Sequence, residues 1–351
     1  PTTSSTNNSS FKSAIVGLKG SSTASNQIVS VTKGSTQTWN LATFLAGNYT
    51  GNSFNYGNDV GTTPRPLPVS GTTYRFIPVY PNDNAVLAIY TLGKIPKQYV
   101  SPQYIRARIK NAGTNSQSNF KVYLEIKGAN SLLDSVTIAS LTPAAETTIT
   151  FAGYTPTNNG LDTIEVYVVS DDNNFNNSKT NTQLVNDEVY AYADPSLPAA
   201  GGIGFSGATG QFCAKFPYSG IANAINQIGV NFFAGGVPLQ IGIWGQNPTN
   251  GGPGTLLWSS SQFTSVTGLN TVPVNPAVSV SDTFFVGVLQ TTTTNANFAF
   301  QAEVPVRDAT FFYGALNSTT WSDFAAAGSN FRFMIEPRFQ SPNDVGVISI
   351  D

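Results

Sequence analysis

The chain has 351 residues and a formal net charge of −2, and only 10% of its residues are charged, against about a quarter in ordinary soluble proteins. It shows neither the basic cluster that nucleic-acid binding requires nor an apolar run near the roughly 18 residues of a membrane span. Without histidine and with a single cysteine, Cys213, it lacks the residues of the usual catalytic triads, of zinc sites and of an intrachain disulfide.

Residues 1–97 are predicted to form a β-rich N-terminal region. Residues 1–10 are a low-complexity polar segment typical of a linker, and residues 45–72 are rich in Gly, Asn and Pro, which favours long loops. Residues 74–80 and 85–92 then predict strands.

Residues 98–188 are predicted to form an immunoglobulin-like β-sandwich. Apolar and polar side chains alternate with a period of two in four segments, as half-buried antiparallel strands require. Turn signals rich in Asn, Gly and Pro separate these segments. The predicted inward faces are Ile105, Ala107 and Ile109; Phe120, Val122, Leu124 and Ile126; Thr147, Ile149 and Phe151; and Ile164, Val166 and Val168.

Three sequences follow one another in this region: RIKNAGTNSQSNFKVYLEI, ASLTPAAETTITF and DDNNFNN. In this order they resemble the CARDB-type immunoglobulin-like domains of bacterial and archaeal surface proteins. The resemblance implies a cell-surface adhesion or spacer role and no reaction. The later sequences NFFAGGVPLQIGIW, GTLLW, FFVGVLQ and FRFMIEPRF resemble the jelly-roll segments of secreted proteins of the Bacteroidetes group.

Residues 189–340 are predicted to form that jelly-roll-like β-sandwich, because short strands alternate with Gly, Pro and Asn turns. Residues 219–228 are the best candidate for a helix, of one or two turns. The predicted fold class is therefore all-β, with tandem β-sandwiches after a β-rich N-terminal region.

Residues 341–351 are predicted to form a C-terminal strand or the start of a next domain, and Asp344-Val345-Gly346-Val347 resembles the opening strand of another CARDB-type domain. One interpretation is a simple domain boundary. The other is strand addition to a neighbouring chain, which would build a filament. The interface residues of that second interpretation are Val345, Val347, Ile348 and Ile350.

The turn that follows the fourth predicted strand is the best candidate for an ion site. Calcium takes six to eight oxygen ligands, and Asp171, Asp172, Asn174 and Asn176 offer carboxylate and amide oxygens. The alternative is that these side chains hydrogen-bond their own backbone and hold the turn. Apart from this calcium, the sequence predicts no cofactor.

Aromatic side chains on a sandwich could bind carbohydrate, and Trp321 and Tyr313 are the candidates, Trp321 being the tryptophan expected to be most exposed. Trp244 and Trp258 lie in apolar runs and are expected in the core. Modification sites are also predicted. Asn48 and Asn317 match the N-glycosylation pattern, and Ser135 and Thr163 match the O-glycosylation pattern that the Bacteroidetes resemblance implies.

Catalytic machinery is not predicted. The available acids are Asp187, Glu188, Glu303 and Asp308, and no pattern brings two of them to one cleft. The G-x-G-x-x-G match at residues 202–207 is followed by a strand-like segment, whereas a dinucleotide site needs a helix there.

The sequence thus predicts a non-catalytic structural or adhesive protein, secreted or on the cell surface, such as a stalk, filament subunit or matrix component. Its expected partners are copies of itself or cell-surface and matrix components, with glycans as further candidates. The alternative is a carbohydrate-binding accessory module of a secreted enzyme.

Overall fold

The computed structural model describes residues 80–100, 102–218 and 223–340, together with four short backbone strands nearer the N terminus. In these ranges all regular secondary structure is β, and no helix is long and apolar enough to cross a membrane. The predicted all-β fold class is confirmed. The four N-terminal strands form two antiparallel pairs, β1 with β4 and β2 with β3: Gln27–Ser30 (β1), Ser53–Phe54 (β2), Arg65–Pro66 (β3) and Thr73–Phe76 (β4).

The first sandwich packs a three-stranded sheet, in the order β10-β7-β5, against a five-stranded sheet, in the order β6-β12-β11-β8-β9. All strand pairs are antiparallel except β6 with β12, which is parallel. The strands are Asn84–Tyr90 (β5), Lys94–Pro96 (β6), Arg106–Asn111 (β7), Gln117–Gly128 (β8), Leu132–Leu141 (β9), Glu146–Thr150 (β10), Gly160–Val168 (β11) and Ser178–Asn186 (β12).

The core of this sandwich follows the alternation read from the sequence. Ile105, Ala107 and Ile109 from one sheet face Ile164 and Val166 from the other, and all five are completely buried. Burying an aliphatic side chain of this size contributes about 1.5–3 kcal/mol. The predicted inward faces are confirmed for these strands.

The second sandwich consists of a six-stranded and a seven-stranded sheet. The first has the order β13-β21-β15-β19, with β24 on β21 and β25 on β15; the second has the order β17-β16-β20-β14-β22-β23, with β18 on β16. The strands are Gly201–Ile203 (β13), Gly210–Phe216 (β14), Asn223–Phe232 (β15), Pro238–Gln246 (β16), Pro253–Ser259 (β17), Phe263–Thr264 (β18), Gly268–Val280 (β19), Phe284–Gln290 (β20), Phe298–Ala302 (β21), Phe311–Gly314 (β22), Ser322–Asp323 (β23), Phe331–Phe333 (β24) and Ile335–Phe339 (β25).

The seven-stranded sheet is apolar on both faces. Along β20, Phe284 and Val286 point into the main core, while Phe285 and Leu289 join a smaller cluster with Cys213 on the opposite face. Successive side chains of a strand alternate between faces, so a fully apolar strand such as β20 belongs at the centre of a covered sheet.

The helix predicted at residues 219–228 is wrong for the part that the structure describes, because residues 223–228 belong to β15. Ile225 and Ile228 are both completely buried, and their spacing of three residues looks helical in the sequence. A register shift between Ile225 and Gln227 produces this spacing within a strand, since a bulge inserts one extra residue and returns the next apolar side chain to the same face.

The segment that joins β5 to β7 packs into the core of the second sandwich. Leu92, Ile95, Tyr99 and Val100 belong to the same apolar cluster as the inner side chains of that domain. β5 and β6 precede residue 98, where the predicted domain division lies, and both pair with strands of the first sandwich.

Candidate functional site

A cleft of about 400 Å³ lies where the two sandwiches meet. One wall comes from the end of β5 and the segment after it, and the other comes from the second sandwich and the chain that leads into it. Five tyrosines and two arginines lie in its lining: Tyr90, Tyr104, Tyr190, Tyr192, Tyr218, Arg106 and Arg307.

Three of these tyrosines are anchored by their hydroxyls, and Tyr90 bonds across the junction. Tyr90 donates to the carbonyl of Pro305 (3.1 Å), and Tyr190 donates to the carbonyl of Pro217 (3.0 Å). Tyr192 donates to the carbonyl of Lys215. Burial raises the pKa of Tyr90 to about 12, and it also raises the pKa of Tyr192, so both phenols stay neutral at physiological pH. Tyr104 differs, because it is 59% exposed at the rim.

Beneath the cleft lies a buried ion cluster of Glu303, Arg307 and Arg332, each no more than 5% exposed. Glu303 accepts from the Arg307 backbone N–H (3.1 Å), from Nε (2.8 Å) and from a terminal nitrogen (2.6 Å). A terminal nitrogen of Arg332 lies 3.7 Å from Glu303, and Arg332 also donates to Gln301. The guanidinium of Arg307 lies over the rings of Tyr192 (4.8 Å) and Tyr90 (5.6 Å).

Electrostatics keeps Glu303 ionised. Burial by itself would raise the pKa of Glu303, but the charge and hydrogen bonds of Arg307, with the charge of Arg332, outweigh burial and hold the pKa below its ordinary value. A carboxylate clamped by two guanidinium groups is a poor proton donor or acceptor, so the geometry favours a structural role for this acid.

The other three candidate acids lie outside the buried ion cluster. Asp187 lies 3.4 Å from Lys97 and accepts from Asn159. Glu188 lies 3.4 Å from Arg338. Asp308 is exposed in the loop before β22.

The predicted ion turn meets the chain just before β5. Asp171 accepts from the backbone N–H groups of Asn84 (2.7 Å) and Asn173 (2.9 Å). Asn176 donates to the carboxylate of Asp83 (2.7 Å). The structure therefore brings Asp171 and Asn176, two of the four predicted residues, together with Asp83, which the sequence reasoning missed.

The other two predicted residues serve the turn itself. Asp172 is exposed and accepts from the backbone N–H of Asn82 (2.8 Å). Asn174 is exposed and accepts from the backbone of Asp171 and the side chain of Asn177. Within the part of the chain that the structure describes, no three acidic or cysteine side chains converge on one point.

The two aromatic residues predicted to bind carbohydrate do not share a surface. Trp321 is only partly exposed and packs against Trp244 in the smaller cluster, with ring centroids 5.4 Å apart. Tyr313 packs against the main core beside Phe324. Trp321, the tryptophan expected to be most exposed, is partly buried, because it helps to cover the outer face of the seven-stranded sheet. Trp244 is 3% exposed, as predicted for a core residue, whereas Trp258 is only partly buried.

The predicted modification sites fall in different settings. Asn317 is exposed in the loop between β22 and β23, with a positive φ of 60°. Thr163 is exposed in β11, while Ser135 is half-buried in β9. Asn48 and the four C-terminal interface residues lie outside the described residues.

In a comparison with known protein families, one family matches the first sandwich. Residues 89–186 match the CARDB family. The resemblance predicted for residues 98–188 is thereby confirmed, and the match begins inside β5. No curated protein matches the chain.

Solved structures give a weaker likeness. A domain described as part of a cell surface protein of Methanosarcina acetivorans is 24% identical, with 30% of this chain and 93% of that chain covered at a TM-score of 0.25. The cysteine protease and lectin-like domains of Cwp84, a surface layer associated protein of Clostridium difficile, are 12% identical, with 64% of this chain and 59% of that chain covered at a TM-score of 0.32. At these scores the likeness supports no inference about function.

Proposed function

We propose that this chain is a non-catalytic extracellular structural or adhesive protein, in which the two sandwiches form one rigid unit. The observation that carries the proposal is the junction. Inter-domain contacts that allow motion are usually small and polar, whereas here a segment of the first sandwich is part of the core of the second.

The apolar side of the junction centres on Ile95, which is completely buried. Tyr99 packs with its ring centroid 4.7 Å from that of Phe339, at the end of β25. Pulling the sandwiches apart would expose these side chains to water, at about 25 cal/mol for each Å² of apolar surface.

Polar and charged side chains also contribute to the junction. Gln183, which is completely buried, donates to Thr91 (2.8 Å) and to the carbonyl of Leu92 (2.9 Å). Lys94 forms an ion pair with Glu336 of the second sandwich. The Tyr90 ring of β5 packs against Arg307 of the buried ion cluster. Lys94 and Tyr90 thus each contact a charged residue of the second sandwich, which favours a fixed arrangement.

The CARDB match supports a surface location, because such domains imply an adhesion or spacer role at the cell surface. A spacer transmits position and force, and a rigid junction serves both. The partners that suit this role are further copies of the chain or components of the surface matrix.

The cleft between the sandwiches favours a second function, carbohydrate binding. Tyr104, exposed at the rim, offers an apolar ring face on which a sugar ring can stack, and Arg106 adds hydrogen-bond donors. In this case the chain would be an accessory module of a secreted enzyme.

One experiment separates these functions. The purified chain is melted in the presence of a panel of soluble glycans, and the same panel is assayed for hydrolysis. The structural proposal predicts no change in melting temperature and no hydrolysis. A shift that is lost in Tyr104→Ala but retained in Tyr123→Ala would establish glycan binding instead, because Tyr123 belongs to a partly exposed pair stacked with Tyr167 and does not line the cleft. Hydrolysis that is lost in Asp308→Asn would overturn both.

A further inference from the structure

One end of the first sandwich gathers carboxylates and amides from two distant parts of the chain. Asp83 and Asn84 lie at the start of β5, and Asp171 lies in the turn after β11. The side-chain amides of Asn173 (3.1 Å) and Asn176 (2.7 Å) donate to the two oxygens of Asp83. We call this set, together with Asn177, the Asp83 cluster.

The two carboxylates of the Asp83 cluster lack a positive partner. Asp83 is only 4% exposed, and none of the ion pairs among the described residues includes Asp83 or Asp171. Buried carboxylates are normally paired with a cation or coordinate a metal.

Four amide oxygens of the same cluster are buried without any hydrogen-bond donor, and they belong to Asn84, Asn173, Asn176 and Asn177. Asn84 and Asn177 are each only 7% exposed. The amide nitrogens of Asn173, Asn176 and Asn177 do have acceptors, so these side chains are oriented by their nitrogens and leave their oxygens free. Buried acceptors without a donor are rare in folded proteins.

At the opposite end of the same sandwich, a buried carboxylate finds all its hydrogen-bond partners within the protein. Asp162 is 1% exposed and accepts from the backbone N–H of Asn130 (2.8 Å), from its side-chain amide (2.8 Å) and from the hydroxyl of Tyr154 (3.4 Å). No atom of Asp162 or Asn130 is left without a partner. The Asp83 cluster therefore differs by its four amide oxygens without a donor and by holding two carboxylates instead of one.

We propose that the Asp83 cluster binds a calcium ion. Its oxygen donors are the carboxylates of Asp83 and Asp171 and the four amide oxygens without donors. Two carboxylates and four amides supply six oxygen ligands, within the six to eight that calcium takes, and calcium tolerates the irregular geometry of such a set. Magnesium is smaller and demands a near-ideal octahedron with several waters, so it suits this buried cluster less well.

The bound ion would cross-link the entry of the chain into β5 with the turn between β11 and β12. These segments already touch, since the backbone N–H of Val86 donates to the carbonyl of Asn176 (2.9 Å). Calcium would neutralise the two carboxylates and stiffen the end of the sandwich where the N-terminal region enters. The inference stands independently of the proposed function.

The test combines equilibrium dialysis against calcium with melting in about 5 mM CaCl2 or EDTA, a calcium concentration several times the dissociation constants of extracellular modules, about 0.1–1 mM. We expect one calcium ion per chain. The melting temperature should rise by about 3–6 °C when calcium is present at ten times its dissociation constant. Asp83→Asn should weaken binding about tenfold or more and reduce the shift to at most about 2 °C. Asp162→Asn, the matched control, should lower the melting temperature but keep the calcium shift.

Two results would overturn the proposal. The first is a wild-type chain that neither retains calcium in dialysis nor melts differently with calcium and EDTA, which would mean that water satisfies the four oxygens. The second is equal loss of calcium in Asp83→Asn and Asp162→Asn, or retention in both. If Asp83→Asn does not fold, Asp171→Asn takes its place in the same comparison.

Discussion

Replacement of Glu303 by glutamine is the sharpest test of the buried ion cluster. Glu303 carries the only negative charge that faces Arg307 and Arg332 within hydrogen-bond or ion-pair distance in the described structure. The Glu303→Gln variant keeps the size of the side chain and removes its charge, so two guanidinium groups remain buried without a counter-ion.

The expected loss is large. Removal of one partner from a buried ion pair costs about 3–5 kcal/mol, because the remaining charge is left uncompensated. For a folded unit of this size each kcal/mol shifts the melting temperature by about 2–4 °C, which gives a decrease of about 6–20 °C. The cleft between the sandwiches should also lose shape, since Arg307 supports the rings of Tyr90 and Tyr192.

Differential scanning calorimetry at neutral pH measures this decrease, with Glu146→Gln as the matched control. Glu146 forms two ion pairs of 3.2 Å, with Arg108 and Lys110, on the exposed face of the first sandwich. Exposed pairs of this kind contribute at most about 1 kcal/mol each. A decrease in Glu303→Gln no larger than in Glu146→Gln would refute the reasoning that burial makes the charge of Glu303 indispensable.

Three further predictions concern acid, packing and reactivity. The folded-state pKa of Glu303 is lowered, so the stability that its charge contributes is present above the unfolded pKa of about 4.3 and is lost as the pH falls through the folded value. Calorimetry between neutral and acidic pH should therefore show a steeper decrease in melting temperature for the wild type than for Glu303→Gln. Gly287→Ala should cost about 4 kcal/mol or more, since its Cβ would lie 1.7 Å from the carbonyl oxygen of Phe212, whereas Gly245→Ala, whose Cβ would meet nothing closer than 3.7 Å, should fold normally in the same urea titration. Burial raises the pKa of the Cys213 thiol, so iodoacetamide at about pH 8 should label it only after unfolding, and labelling of the native chain in a mass spectrum would contradict its position in β14.

The strands that the sequence predicts best are those with one apolar face. β7, β11 and residues 120–126 of β8 alternate, because each covers the core with every second residue. β9 and β12 lack that signal. β9 is an edge strand with few fully buried positions, and β12 buries the polar Gln183 in the junction.

The candidate sites depend on contacts that no sequence pattern encodes. Asn84 and Asp171 are 87 residues apart and meet only because β5 joins the sheet of β7 and β10. The run Asn82-Asp83-Asn84 before the first apolar strand is the one local signal that could have been read together with the Asp171 turn. The cleft likewise depends on the packing of Ile95 into the second sandwich. The apolar run around Ile95 in the sequence is too short to predict this packing.

The most direct test of the rigid two-sandwich unit is a set of amide residual dipolar couplings measured from both sandwiches in one alignment medium. We predict that a single alignment tensor fits the couplings of residues 84–186 and of residues 201–339, because the two share an apolar core at Ile95 and Tyr90 of the first packs against Arg307 of the second. Two tensors of different magnitude would show that the sandwiches move independently, and would contradict the proposal that the chain is a rigid spacer.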